Sequence, residues 1–300
     1  MILALVAAVL LPLSLAACGD GGSGAGGGGE PVSGRALRVV ATTTQLADFV
    51  RVLGGDRVEL LDLLKANVDP HDYEATPADL EAVRRADLVV KNGIGLEEWL
   101  DRTLESAGSR ARVVDASTGV ARRGDDPHIW HDATRARTMV ASVAAAMRES
   151  DPANAEAYAT AEEAYAAELE ILDAEILAQI RALPNKKLVT NHDAFGYYVE
   201  RYGLDFVGSV IPSFDSQAEL SSRELAALVD RIVAQGVRAV FAEGTLPPRT
   251  AETVAREAGV RIVAGEDALY GDSLGPPGSD ADTYLKMMRH NTRTIVEGLR

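Results

Sequence analysis

The sequence predicts an α/β protein of two lobes, each a roughly four-stranded parallel sheet flanked by helices, with one long helix bridging them. Three observations carry this. Short apolar, β-rich runs alternate with amphipathic helical stretches, the pattern of a parallel sheet covered by helices. The alternation occurs twice, with four strand-like runs in each half. Between the halves lies one unusually long apolar stripe at helical spacing.

In chain order, residues 2–17 (ILALVAAVLLPLSLAA) form an uncharged apolar run too short to span a bilayer comfortably but of signal-peptide length. Leu15-Ala16-Ala17-Cys18 resembles a bacterial lipobox, in which the peptide is cut before an acylated cysteine. That gives a signal peptide over 1–17 and a lipidated Cys18. No Lys or Arg precedes the apolar run, which points to a start codon upstream of Met1. The chain's single cysteine also rules out an internal disulfide or a cysteine zinc knuckle. The glycine-rich stretch that follows has almost no apolar content, so residues 18–35 are expected to be a flexible tether.

The first lobe, 36–150, has strands expected near Leu37–Ala41, Val58–Leu63, Leu88–Lys91 and Arg112–Asp115. The second, 185–300, has them near Lys187–Thr190, Asp205–Val210, Ala239–Ala242 and Arg261–Ala264. Helical periodicity covers Gln45–Leu53, Pro77–Arg85, Arg223–Gln235, Thr250–Ala258 and Tyr284–Leu299. In the bridge, 151–184, Asp151 suits the N-cap, Pro152 the first turn and Pro184 the end. Tyr158, Ala161, Tyr165, Leu169, Leu172, Ile176, Ile180 and Leu183 make its stripe.

The formal charge of −15 argues against a nucleic-acid partner, which would require a basic surface. There are five histidines. A lone histidine is usually structural, but three of these follow expected strands from both halves. His71 lies in Asp69-Pro70-His71-Asp72-Tyr73-Glu74, His128 in Asp126-Pro127-His128-Ile129-Trp130-His131, and His192 in Asn191-His192-Asp193. Open α/β sheets bind ligands at the carboxyl ends of their strands, so the three can converge in a cleft between the lobes. Imidazole is a usual zinc ligand, and a carboxylate would complete a tetrahedron. Acidic candidates follow the last strand at Asp272, Asp280 and Asp282. His131, three residues after His128, is a competing ligand. His290 reads as a surface or packing residue. Asp69, Glu74, Asp126, Asp193 and Glu243 are either outer partners that orient ligands or turn and cap residues.

These motifs, DPHDYE at 69–74, DPHIWHD at 126–132, NHDAFGYY at 191–198 and YGDSLGPPGSDADTYLKMMRHNTRTI at 270–295, resemble those of the zinc- and manganese-binding proteins of bacterial ABC importers. The resemblance runs from about Leu37 to Leu299. It implies that His71, His128, His192 and Asp272 are the metal ligands, with His131 a neighbour or solvated residue. It also implies a monomeric extracytoplasmic lipoprotein that delivers a divalent metal to an ABC permease and is not an enzyme. Three imidazoles and one carboxylate make a closed, nitrogen-rich set that suits holding zinc. The long histidine-rich loop of some zinc members is missing, which leaves manganese open. Two other classes compete. A secreted zinc hydrolase would use Glu74 or Glu243 as general base, but the chain has no HExxH or GxSxG. A binder of siderophores or cobalamin, or an adhesin on the same scaffold, is the other; chelate binding asks for a wide aromatic or basic cleft, and aromatics are only 5%.

Overall fold

The structure is a computed structural model that describes residues 34–218 and 221–300. The expected signal peptide, Cys18 and most of the expected tether therefore lie outside the described residues. Arg35, placed at the tether's end, is instead fastened: its guanidinium donates to both carboxylate oxygens of Asp87 at 2.7 Å.

Among the described residues, eight strands form two parallel sheets. β1 (Leu37–Ala41), β2 (Val58–Asp62), β3 (Leu88–Lys91) and β4 (Arg112–Asp115) are ordered β2-β1-β3-β4. β5 (Lys187–His192), β6 (Asp205–Ile211), β7 (Ala239–Phe241) and β8 (Arg261–Val263) repeat that permutation as β6-β5-β7-β8. In each sheet the order reverses beside its first strand, the place where α/β folds open a crevice. β5 runs two residues past its expected end and so includes His192, whose Cα pairs with that of Ile211.

The helices are α1 (Thr44–Gly54), α2 (Pro77–Arg85), α3 (Leu100–Ala107), α4 (Ala133–Ser150), α5 (Ala155–Arg181), α6 (Gly196–Tyr202), α7 (Ser222–Gln235), α8 (Arg249–Ala258) and α9 (Tyr284–Leu299). Local chemistry sets their starts. Thr76 and Asp79 at α2, and Ser221 and Glu224 at α7, each satisfy the other's backbone N–H in a capping box.

The bridge, α5, is shorter than its expected span. Residues Pro152–Asn154 form a separate 3-10 turn, and α5 has 27 residues, about 40 Å of helix. Asp151 does not cap it. Its backbone N–H closes α4 on Met147, and its carboxylate accepts from Asn154 Nδ2 and Tyr158 Oη at 2.7 Å. A proline directly after Asp151 prevents the chain from continuing out of α4, so Asp151 seals a corner between two helices. The expected stripe is the buried face: Tyr158, Tyr165, Leu169, Leu172, Ile176 and Ile180 are all 0–3% exposed.

That face packs on α1 and α4 of the first lobe and on α6 and α9 of the second. One apolar core consequently runs from Leu37 through α5 to Leu299, crossing both lobes. Leu172→Ala should cost about 3 kcal/mol, in the range of large-to-small core truncations. Because the core is continuous, urea unfolding followed by tryptophan fluorescence (Trp99 and Trp130, both in the first lobe) and by far-UV circular dichroism should shift together.

Candidate metal centre

Four loops or strand ends bring polar side chains to the seam between the lobes. His71 stands in the loop after β2, His128 after β4, His192 at the last position of β5, and Asp272 in the segment beyond β8. One ligand atom from each lies within 4.8 Å of every other. His128 Nε2 is 3.3 Å from His71 Nε2, 3.4 Å from His192 Nε2 and 3.3 Å from Asp272 Oδ1. Asp272 Oδ2 is 3.3 Å from His192 Nε2. Ligands at ~2.05 Å around a tetrahedral ion stand roughly 3.3 Å apart, so these spacings are those of a coordination shell. His128, His192 and Asp272 are fully buried and His71 is half-buried.

The electrostatics call for a cation. Both oxygens of Asp272 are buried without a hydrogen-bond donor among the described residues. Burial disfavours its charge, yet His192 and His128 hold it well below the usual carboxylate range. Burial likewise opposes protonation of His128, but Asp126 and Asp272 outweigh it and its pKa is raised. Glu243 and Asp272 do the same for His192, more strongly. His71 goes the other way: burial and the neighbouring His128 lower it, with Asp272 opposing.

Two of the outer candidates hold imidazoles. Asp126 Oδ1 accepts from the backbone N–H of His128 at 3.0 Å and lies 2.8 Å from its Nδ1, which turns Nε2 towards the other ligands. Glu243 Oε1 accepts from the backbone of His192 at 2.9 Å, and Oε2 lies 2.9 Å from its Nδ1. Asp69 acts on the backbone instead: its Oδ1 accepts from His71 N–H at 2.9 Å.

The other candidates do not join. Glu74 is exposed and belongs to no cluster of converging ligand atoms among the described residues. Asp193 follows His192 on the strand exit, yet its carboxylate bonds neither imidazole, and Oδ1 is buried without a partner among the described residues. Asp280 is 58% exposed and pairs with Arg293 and with His290 Nδ1. It also precedes α9 rather than starting it, since Thr283 is the cap. Asp282 pairs with Lys286 and the backbone of Gly278. His290 is a buried packing residue whose Nε2 donates to Ala268 O at 3.0 Å.

His131 is neither ligand nor solvated. It is fully buried, stacks on Phe195 at 4.4 Å between ring centroids, and donates from Nε2 to the carbonyl of Gly271 at 2.9 Å. Burial, with His128 adding to it, drops its pKa to about 3, so it stays neutral. Trp130 Nε1 donates to the same carbonyl at 3.0 Å. Two ring donors from the first lobe thus hold the residue directly before Asp272. The motif reading passed over Gly271, although a glycine abutting a candidate ligand is the usual mark of a close approach. A Cβ there would overlap Glu243 Oε2 and stand 3.4 Å from His192 Cε1.

Comparison with known proteins identifies the family. Residues 39–298 match the family described as ZnuA, zinc-uptake complex component A, periplasmic. The manganese-binding lipoprotein MntA of Halalkalibacterium halodurans is 34% identical over 97% of each chain. The iron ABC transporter substrate-binding lipoprotein MtsA of Streptococcus pyogenes is 29% identical over 98% of this chain and 97% of its own. Among solved structures, the periplasmic zinc-binding protein TroA from Treponema pallidum superposes with a TM-score of 0.80 at 28% identity, covering 88% of this chain and 99% of that one. With a family match across nearly the whole described chain, and a two-lobed α/β fold shared with a relative of known structure, this protein belongs to the ZnuA family of metal-importer binding proteins.

Proposed function

We propose that this chain captures a divalent transition metal with His71, His128, His192 and Asp272 and delivers it to an ABC permease, zinc being the preferred cargo. The observation that carries the assignment is the buried carboxylate of Asp272, which faces imidazole nitrogens at 3.3 Å with no other donor among the described residues. Such a group is costly to bury without a cation. Three nitrogens and one carboxylate favour zinc. Manganese is a second reading, supported by the manganese-binding relative at 34% identity and by the oxygen-only, potentially two-oxygen contribution of Asp272.

In this proposal residues 36–150 and 185–300 are the two metal-holding lobes and 151–184 the bridge. Cys18 carries the lipid that keeps the monomer at the outer face of the membrane, in line with the lipoprotein names of the relatives. No described helix is long and apolar enough to cross a membrane. The hydrolase alternative loses both candidate bases, because Glu243 is occupied by His192 and Glu74 is exposed away from the cluster.

Isothermal titration with zinc and manganese should find one site. Alanine at position 71, 128, 192 or 272 should cost more than the roughly 10- to 100-fold that loss of an outer partner costs. Wild-type affinity in any of the four variants removes that residue from the site.

Binding should also release protons. The raised pKa values of His128 and His192 mean that each holds a proton to higher pH than free imidazole, and metal must displace it. Without metal, these two groups add stability that is full below an unfolded imidazole pKa of about 6.5 and fades as pH rises through their folded values. With metal the dependence reverses, so the Tm gain on adding zinc should be larger at pH 8 than at pH 6. A gain that is flat or shrinks with pH would contradict this.

Gly271→Ala should weaken metal binding by about 10-fold or more by pushing Glu243 off His192, without removing a ligand. Glu243→Gln should fall in the same range when titrated in parallel.

A further inference from the structure

The four arms of the site are not held alike. His128 and His192 each have a carboxylate against the second ring nitrogen, and Asp272 follows a carbonyl fixed by Trp130 and His131. His71 has no carboxylate against its ring among the described residues. It is positioned through its backbone by Asp69, and Asp69 does not act within its own lobe alone. While Oδ1 takes the His71 N–H, Oδ2 accepts from Ser216 Oγ at 2.5 Å and from Gln217 Nε2 at 3.3 Å. Ser216 and Gln217 belong to the other lobe, in the segment that leaves β6. Ser216 is 5% exposed although its neighbours Asp215 and Gln217 are exposed. Two residues earlier, the ring of Phe214 stands beside His128, tilted by 58° at 6.4 Å between centroids. The carboxylate therefore joins the one half-buried ligand to a segment of the other lobe that also borders His128.

We propose that Asp69 and Ser216 are positioning residues forming an interlobe clasp that sets how fast bound metal leaves. This rests on the ligand assignment above. With the clasp made, His71 is pinned at its backbone and Phe214 is held beside His128. With it broken, the His71 loop keeps ties further from the ligand: Trp99 Nε1 to Pro70 O at 3.1 Å within its lobe, and the Asn67 N–H to Ser273 Oγ of the other lobe at 3.1 Å. The metal's direct ligands are unchanged in either state. The clasp accordingly acts on the lifetime of the complex and not on the identity of the donors.

The test uses cobalt(II) as a spectroscopic stand-in for the cargo, bound to the full chain. Release is followed after mixing with excess EDTA, and the visible d–d bands report the donor set. Ser216→Ala is expected to release cobalt on the order of ten-fold faster or more, the effect of losing a hydrogen bond to a charged acceptor, with d–d bands unchanged. Ser216→Thr, which keeps the hydroxyl, should restore slow release, and Gln217→Ala should have a smaller effect. Wild-type release rates in Ser216→Ala overturn the clasp. So does a changed d–d spectrum in that variant, which would mean that Ser216 acts on coordination itself. A wild-type chain that takes up no cobalt overturns the ligand assignment, and the clasp with it. If altered bands appear in His71→Ala while Ser216→Ala releases at the normal rate, the site stands and only the clasp falls.

Discussion

A buried carboxylate with both oxygens turned towards imidazole nitrogens is the constraint around which the chain is arranged. An ionised Asp272 at that depth must be balanced by positive charge. The neighbouring carboxylates favour a proton on His128 and on His192, and the two rings in turn hold Asp272 below the usual carboxylate range. The same carboxylates that favour protons on these rings favour a cation between them, so protons and metal compete for the same nitrogens. Asp126 and Glu243 determine which ring nitrogen faces inward, so they set geometry as well as charge.

Holding four donors at coordination spacing requires two lobes that do not drift apart. The two sheets share a strand order, but the symmetry stops at the core. α5 fills the space between the lobes with one face of Tyr, Leu and Ile side chains, and α1, α4, α6 and α9 close on it. Polar ties cross the same boundary nearer the site. The backbone N–H of Tyr284 reaches Asp48 at 2.9 Å, Tyr284 Oη reaches Trp130 O at 2.6 Å, and the Gly271 carbonyl takes two ring donors from the first lobe. A wide hinge opening would break that apolar core and these bonds together.

Most of this was legible in the sequence because the relevant signals were local or repeated. All eight strands announced themselves as apolar runs, and the bridge as a stripe at helical spacing. Three of the histidines were legible because they lie in segments that follow strands, His192 at the strand end itself. Failures came where a residue's role depends on what the chain brings from elsewhere. Asp151 looked like a helix cap, but the Asn154 and Tyr158 side chains claim its carboxylate. Asp126, Asp193 and Glu74 were equivalent acidic neighbours on paper; only the first points its oxygens at an imidazole. His131 was expected as a neighbour of His128 or a solvated residue, and spacing carried no information about its bond to Gly271, far along the chain. Asp69 was expected as an outer partner, but its link to Ser216 spans separate lobes and leaves no pattern in either segment.

The unequal support of the four arms also determines where exchange with a partner would begin. His192 is part of a strand, paired across to β6, and moving it disrupts the sheet. His128 starts a 3-10 turn whose next residues, Ile129, Trp130 and His131, are entirely buried. Asp272 follows a carbonyl with two donors. The His71 loop carries the least buried arm, and it is joined to the other lobe by the Asp69 carboxylate and by the Asn67 N–H on Ser273 Oγ. Since one apolar core runs through both lobes and opposes their separation, an opening at this centre would be local, and of the four side chains the half-buried His71 is the one nearest to solvent.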